Sequence, residues 1–182
     1  LFNEFPTTMS INSNEKYLIS GSSKGTINIW NMEKKKLLFV LKGHQKKVTT
    51  LAITPDDKYL ISGSDDQTIK IWNLKTQKEL FTLKGHEDSV NTISITPDGK
   101  HLISGSKDKT IKIWHLENRE EIFTFRGHTD SINSGKVTSD GQLVISASSD
   151  KTIQVWEFKT RKVIAKFTGE SEINCCAVAP DN

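Results

Sequence analysis

The stretch Gly43-His44, followed by Leu60-Ile61-Ser62-Gly63-Ser64-Asp65-Asp66-Gln67-Thr68 and closing on Ile69-Lys70-Ile71-Trp72, decides how the chain is read. It recurs twice with the same internal gaps: Gly85-His86 leads to Ser104, Asp108 and Trp114, and Gly127-His128 leads to Ser146, Asp150 and Trp156. The tryptophans stand at 30, 72, 114 and 156, so each follows the last by 42 residues. A fixed period of this size means stacked repeat units, each too small to bury an apolar face alone.

Within one period the apolar residues alternate over short runs broken by polar turns, which is the pattern of half-buried strands and not of helices. Strands are expected at Thr7–Asn12, Tyr17–Ser20, Thr26–Trp30 and Leu37–Leu41 in the first unit, and at Val48–Thr54, Tyr59–Ser62, Thr68–Trp72 and Glu79–Leu83 in the second. The third unit gives Val90–Thr96, His101–Ser104, Thr110–Trp114 and Glu121–Phe125, and the fourth Ile132–Thr138, Leu143–Ser146, Thr152–Trp156 and Val163–Phe167. Pro55-Asp56-Asp57, Pro97-Asp98-Gly99 and Ser139-Asp140-Gly141 supply the turn residues between first and second strands. A fifth first strand is expected at Ile173–Ala179, entering a turn at Pro180-Asp181-Asn182.

At these residues the chain resembles the WD-repeat (WD40) β-propeller family, in which about 40 to 45 residues build one four-stranded blade. The Asp that follows Trp in that family is replaced by Asn31, Asn73, His115 and Glu157. The resemblance implies an all-β fold of four-stranded antiparallel blades, with units at about 1–41, 42–83, 84–125 and 126–167 and a partial one at 168–182. Both ends read as cut, since the chain starts without Met at Leu1 and stops after one strand of a fifth unit. The expectation is an incomplete ring, four blades plus one strand of a propeller of about seven. Apolar blade faces uncovered at both ends would make the 182 residues alone prone to associate.

The resemblance also assigns His44, Ser62, Asp66 and Trp72 to one hydrogen-bonded line through a blade. The same holds for His86, Ser104, Asp108 and Trp114, and for His128, Ser146, Asp150 and Trp156. Ser, His and Asp together invite comparison with a hydrolase triad. A chain does not need three equivalent catalytic centres one period apart, so the trios are read as structural and no catalytic residue is assigned. In the first unit Lys24 stands in the place of Asp66 and Phe2 in that of His44, so the shared network is not expected there.

Composition bounds the function. Hydrophobic residues are 35% and charged residues 26%, and the longest apolar run, Leu37–Leu41, is far short of a membrane-crossing helix. Twenty-five basic against 22 acidic residues give +3, no electrostatic footprint for nucleic acid. The basic residues of Lys34-Lys35-Lys36, of Lys75 and Lys78, and of Lys159, Arg161 and Lys162 read as solvated turns. Base-stacking aromatics are absent beside them. The adjacent Cys175 and Cys176 lack metal-ligand spacing and read as free buried thiols, pointing to a reducing, cytoplasmic setting. His101 and His115 read as surface polar residues. No metal cluster, nucleotide loop, cofactor motif or small-molecule site is visible.

Function on such a scaffold is expected on loops held by rigid strands. In the family the usual partner site is the narrower top face, made by the loops around Gly-His and Asp-x-Thr. The residues that differ there between units are Lys46, Lys47, Asp65 and Gln67, then Glu87, Asp88, Lys107 and Lys109, then Thr129, Asp130, Ser149 and Lys151. Their mixed signs suit a protein or peptide more than a polyanion. The expected role is a non-enzymatic protein-protein interaction scaffold. The alternative is a regulatory or sensor module of a larger signalling NTPase, kinase or protease.

Overall fold

The structure, a computed structural model, describes residues 4–179. They form sixteen strands and no helix. The first sheet holds β1 (Pro6–Ile11), β2 (Tyr17–Ser22), β3 (Thr26–Asn31) and β4 (Lys36–Lys42). The second holds β5 (Val48–Ile53), β6 (Tyr59–Ser64), β7 (Ile69–Asn73) and β8 (Lys78–Leu83). The third holds β9 (Val90–Ile95), β10 (His101–Ser106), β11 (Thr110–His115) and β12 (Glu120–Arg126). The fourth holds β13 (Ile132–Val137), β14 (Leu143–Ser148), β15 (Thr152–Glu157) and β16 (Lys162–Thr168). Every neighbouring pair is antiparallel and in chain order, so each sheet is a four-stranded meander, a propeller blade, and the four do not close into a ring.

The second strands run two residues beyond the alternating pattern because the Gly-Ser that follows stays in the ladder. Gly63 pairs with Thr50, and Ser64 with Val48. Gly is required there by close approach: a Cβ on Gly63 would lie 2.7 Å from the Thr50 side chain and 2.8 Å from that of Val90 on the next blade.

The core lies between blades, not within them. In β7, Ile69 and Ile71 point to one face and join Val90, Ile93, Leu102 and Trp114 of the third blade; Trp72 points to the other and joins Ile19, Ile27, Ile29 and Leu41 of the first. A third cluster of the same kind joins Ile103, Ile111, Ile113 and Phe125 to Ile132, Val144 and Trp156. Central strands are therefore buried on both faces, as their nearly continuous apolar runs require. Position in the stack decides burial at equivalent residues: Phe125 is 2% exposed, whereas Phe167 in the fourth blade is 59% exposed.

Each inner strand carries a bulge at the same place. The register of β5 on β6 skips Thr49, that of β9 on β10 skips Asn91, and β1 and β13 skip Thr7 and Asn133. A bulge re-aims its extra residue, and here it turns Thr7, Thr49 and Asn91 toward the next blade and Asn133 toward the segment that follows the fourth. The Thr7 and Thr49 hydroxyls donate to the carbonyls of Val48 and Val90. The Asn91 and Asn133 amides donate to those of Ile132, at 2.9 Å, and Ile173, at 3.1 Å. Blades are thus latched through their inner strands as well as by apolar packing.

Three expectations are corrected. Residues 173–179 form no strand: Ile173 is anchored by its amide to Ser148 and by Asn133, but the segment has no antiparallel neighbour among the described residues. For the same reason Cys175 is exposed and Cys176 only half-buried, although both thiols are free as expected. His101 and His115 are half-buried cross-strand neighbours with ring centroids 5.3 Å apart, and His101 also meets Phe158 edge-on, so neither is a plain surface group. The expected turn at Pro180-Asp181-Asn182 lies outside the described residues.

Candidate functional site

The loop before each inner strand and the hairpin between second and third strands meet at one end of the blade. They are joined by backbone bonds, Asp65 N–H to Lys47 O, Lys107 N–H to Ser89 O and Ser149 N–H to Ser131 O. The hydroxyls of Ser64, Ser106 and Ser148 add bonds to the carbonyls of Lys46, Asp88 and Asp130. Beneath this edge lies the polar line. In the second blade the Trp72 Nε1–H donates to Ser62 Oγ at 2.9 Å, Ser62 Oγ meets His44 Nε2 at 2.7 Å, and His44 Nδ1 meets Asp66 Oδ2 at 2.8 Å. The third blade repeats it through Trp114, Ser104, His86 and Asp108 with 2.8, 2.7 and 2.6 Å, and the fourth through Trp156, Ser146, His128 and Asp150 with 2.9, 2.7 and 2.7 Å.

The donors order themselves. Trp N–H can only donate, so Ser Oγ accepts from it and gives its own proton to Nε2. A neutral imidazole then carries its proton on Nδ1, which donates to the carboxylate. The carboxylate also accepts from the amide of Gln45, Glu87 or Thr129 and from the hydroxyl and amide of Thr68, Thr110 or Thr152. Burial pushes the Asp66 carboxyl up, but the bonds from His44, Thr68 and Gln45 outweigh it and hold it well below the usual range; Asp108 and Asp150 are held low in the same way. Burial lowers the pKa of His128 against the opposing pull of Asp150, which keeps the ring neutral. Among the described residues no buried side-chain polar atom lacks a partner.

This order also separates the trio from a nucleophile, despite distances that resemble one. Ser62, Ser104 and Ser146 are 0% exposed, and a Trp N–H occupies each Oγ, so no substrate carbonyl can reach them. In the first blade half of the line survives against expectation. Trp30 Nε1–H donates to Ser20 Oγ at 3.0 Å, and the Thr26 hydroxyl that would serve an Asp donates to Glu4 instead. The equivalent of His44, Phe2, lies outside the described residues.

Ten of the twelve residues expected to vary at this edge are exposed: Lys46, Lys47, Gln67, Glu87, Asp88, Lys107, Lys109, Thr129, Asp130 and Lys151. The other two serve the scaffold. Asp65 accepts the hydroxyl of Ser89 from the next blade, and the half-buried Ser149 accepts the amide of Asn133. Gln67, Lys109 and Lys151 occupy the left-handed position of their hairpins at φ of 70°, 71° and 69°, which fixes them at the tips. Among the described residues no group of three metal-ligating side chains is gathered, and no helix is long and apolar enough to cross a membrane.

The sheets, their inner-strand latches and the buried line define the class: a repeat protein of β-propeller blades. The family model described as WD domain, G-beta repeat, matches residues 4–31, 35–73, 77–115 and 119–157, and the chain belongs to that family. The last three matches begin on the residue before an outer strand and end on the last residue of the third strand of the following blade, so one sequence repeat ties two blades together. A comparison with curated proteins gives no match. Repeats of this family act in general as protein-protein interaction scaffolds and not as catalysts.

Proposed function

We propose that the edge above the His–Asp line is the binding surface and that its partner is a protein or peptide. The observation carrying this is the contrast between what repeats and what does not. The buried line is the same in three blades, while the exposed residues it supports change from Lys46, Lys47 and Gln67 to Glu87, Asp88, Lys107 and Lys109 and then to Thr129, Asp130 and Lys151. Fixed backbone under varied side chains is how a scaffold acquires specificity. Cations and anions are interspersed along the edge, which complements a surface of mixed sign and gives a polyanion no continuous track.

The test is capture of partners from a lysate of the source cell on the immobilised chain, with the charge reversals Lys107→Glu, Lys109→Glu and Asp88→Lys compared with Lys159→Glu on the opposite edge. Loss of the same bound protein with the first three and retention with the last is expected. Retention with all four would overturn the assignment.

A further inference from the structure

A second bulge recurs in every blade, on the outer strand. The registers skip Leu38 in β4, Leu80 in β8, Ile122 in β12 and Ile164 in β16. All four are large apolar side chains left exposed. Three of them stand at the mouths of clefts between blades, at the end of the strands opposite the His–Asp edge. The cleft between the first and second blades, with Leu38, is about 620 Å³; that between the second and third, with Leu80, about 400 Å³; that between the third and fourth, with Ile122, about 300 Å³.

The clefts occupy equivalent places between blades and differ in size and charge. In the first, the carboxylate of Asp57 is taken up by Ser13 and Asn12. The third has Lys159 and Arg161 at its mouth and no carboxylate. The middle one has an apolar floor of Ile61, Ile71 and Leu116, with Asp98 and Glu117 at the rim against Arg119, and with Asp56 there already paired to Lys58 at 3.0 Å. Arg119 is stacked over the Phe81 ring at 4.6 Å. The Thr54 hydroxyl and Lys58 hold Asp56 at about 2, and the Thr96 hydroxyl holds Asp98 below the usual carboxylate range, so both are ionised at neutral pH.

We propose that the cleft between the second and third blades is a second docking site, for a peptide segment that inserts an apolar side chain beside Leu80 and places Lys or Arg against Asp98 and Glu117. The choice of occupant rests on charge. An aliphatic or aromatic anchor is complementary to the floor, and a basic neighbour suits a rim where, beside the Asp56–Lys58 pair, the carboxylates of Asp98 and Glu117 outnumber the one guanidinium of Arg119. Leu80 supplies the outer wall because the bulge turns it there, while its neighbour Phe81 holds Arg119 aside. The site is independent of the edge above the His–Asp line.

The experiment titrates the isotope-labelled chain with the synthetic peptide Lys-Lys-Leu-Phe-Lys and follows backbone amide shifts. Saturable shifts at Leu80, Gly99, Leu116 and Glu117 are expected. Glu117→Lys should weaken binding about fivefold and Leu80→Ser about tenfold. Both residues are exposed, so both variants keep the fold. Peptides with Ser-Ser for Leu-Phe, or with Glu for every Lys, should leave these amides unmoved. Equal shifts with either control peptide, unchanged affinity in both variants, or shifts confined to Lys159–Arg161 or to the His–Asp edge would each overturn the proposal.

Discussion

Replacing Ser104 by Ala tests the polar line at its centre. The hydroxyl accepts from Trp114 Nε1 at 2.8 Å and serves His86 Nε2 at 2.7 Å, and it is wholly buried. Removing it strands one donor and one acceptor in a site with no room for a replacement group on a methyl side chain. Each orphaned buried group costs about 1–3 kcal/mol, so Ser104→Ala, which orphans two, should lose about 2–6 kcal/mol. The protein provides its own control. Ser20 accepts from Trp30 but has no His bond among the described residues, so its removal strands one donor instead of a donor and an acceptor. Ser20→Ala should therefore lose only about 1 kcal/mol. Urea unfolding followed by tryptophan fluorescence and by circular dichroism measures both, and coincident transitions license the comparison. Equal losses in the two variants, or a loss below about 0.5 kcal/mol for Ser104→Ala, would refute the reasoning that the hydroxyl satisfies two buried partners.

Acidification should destabilise the chain in two stages. His128 has a folded pKa below its usual value, so the stability it contributes is full above about pH 6.5 and is lost as pH falls through the folded value. Asp66, Asp108 and Asp150 are also depressed, so their contribution is full above about pH 4 and is lost as pH falls toward folded values lying lower still. An NMR titration of the His128 ring with its midpoint above the usual histidine range would contradict the first stage, and a melting temperature that held constant from pH 5 to pH 2.5 the second. Asn91→Ala removes the 2.9 Å latch to Ile132 and should lower stability by about 1 kcal/mol, with the loss seen as faster amide exchange on both sides of the junction between the third and fourth blades. Unchanged exchange in β13 would show that the latch carries nothing.

The fold was legible because its strongest determinants are periodic. Trp72, Trp114 and Trp156 mark third strands in the structure, and the alternating runs around them are strands to within two residues at either end. The line from Trp to Asp was legible only through family resemblance, since spacing places those residues in one unit but not within hydrogen-bond reach. Bulges were not legible at all. Thr7, Thr49, Asn91 and Asn133 share a place in the period, yet Thr and Asn look like ordinary polar residues of a strand until the register shows them skipped. The left-handed hairpin residues were half-visible: Gly25, Gly99 and Gly141 announce a positive φ, but Asp57, Gln67 and Lys109 adopt it too, where the chemistry of the residue gives no such notice. The missing fifth strand follows from the same limit, because β pairing depends on a neighbour and not on the segment's own alternation.

The two bulges per blade explain how one repeated backbone can present two kinds of surface. On the inner strand the extra residue is polar and spends its hydrogen bond on the next blade or, for Asn133, on Ile173 of the segment that follows, so the junction is set by a side chain and tolerates Thr or Asn as long as a donor is present. On the outer strand the extra residue is apolar in all four blades and is left 37–55% exposed, so part of its apolar surface stays in water. If Leu38, Leu80, Ile122 and Ile164 served only to end the ladder, polar residues would do so with less apolar surface in water. Leu38, Leu80 and Ile122 stand beside clefts whose rims differ in charge, and in the docking proposal this connects a feature of strand register to a choice of partner.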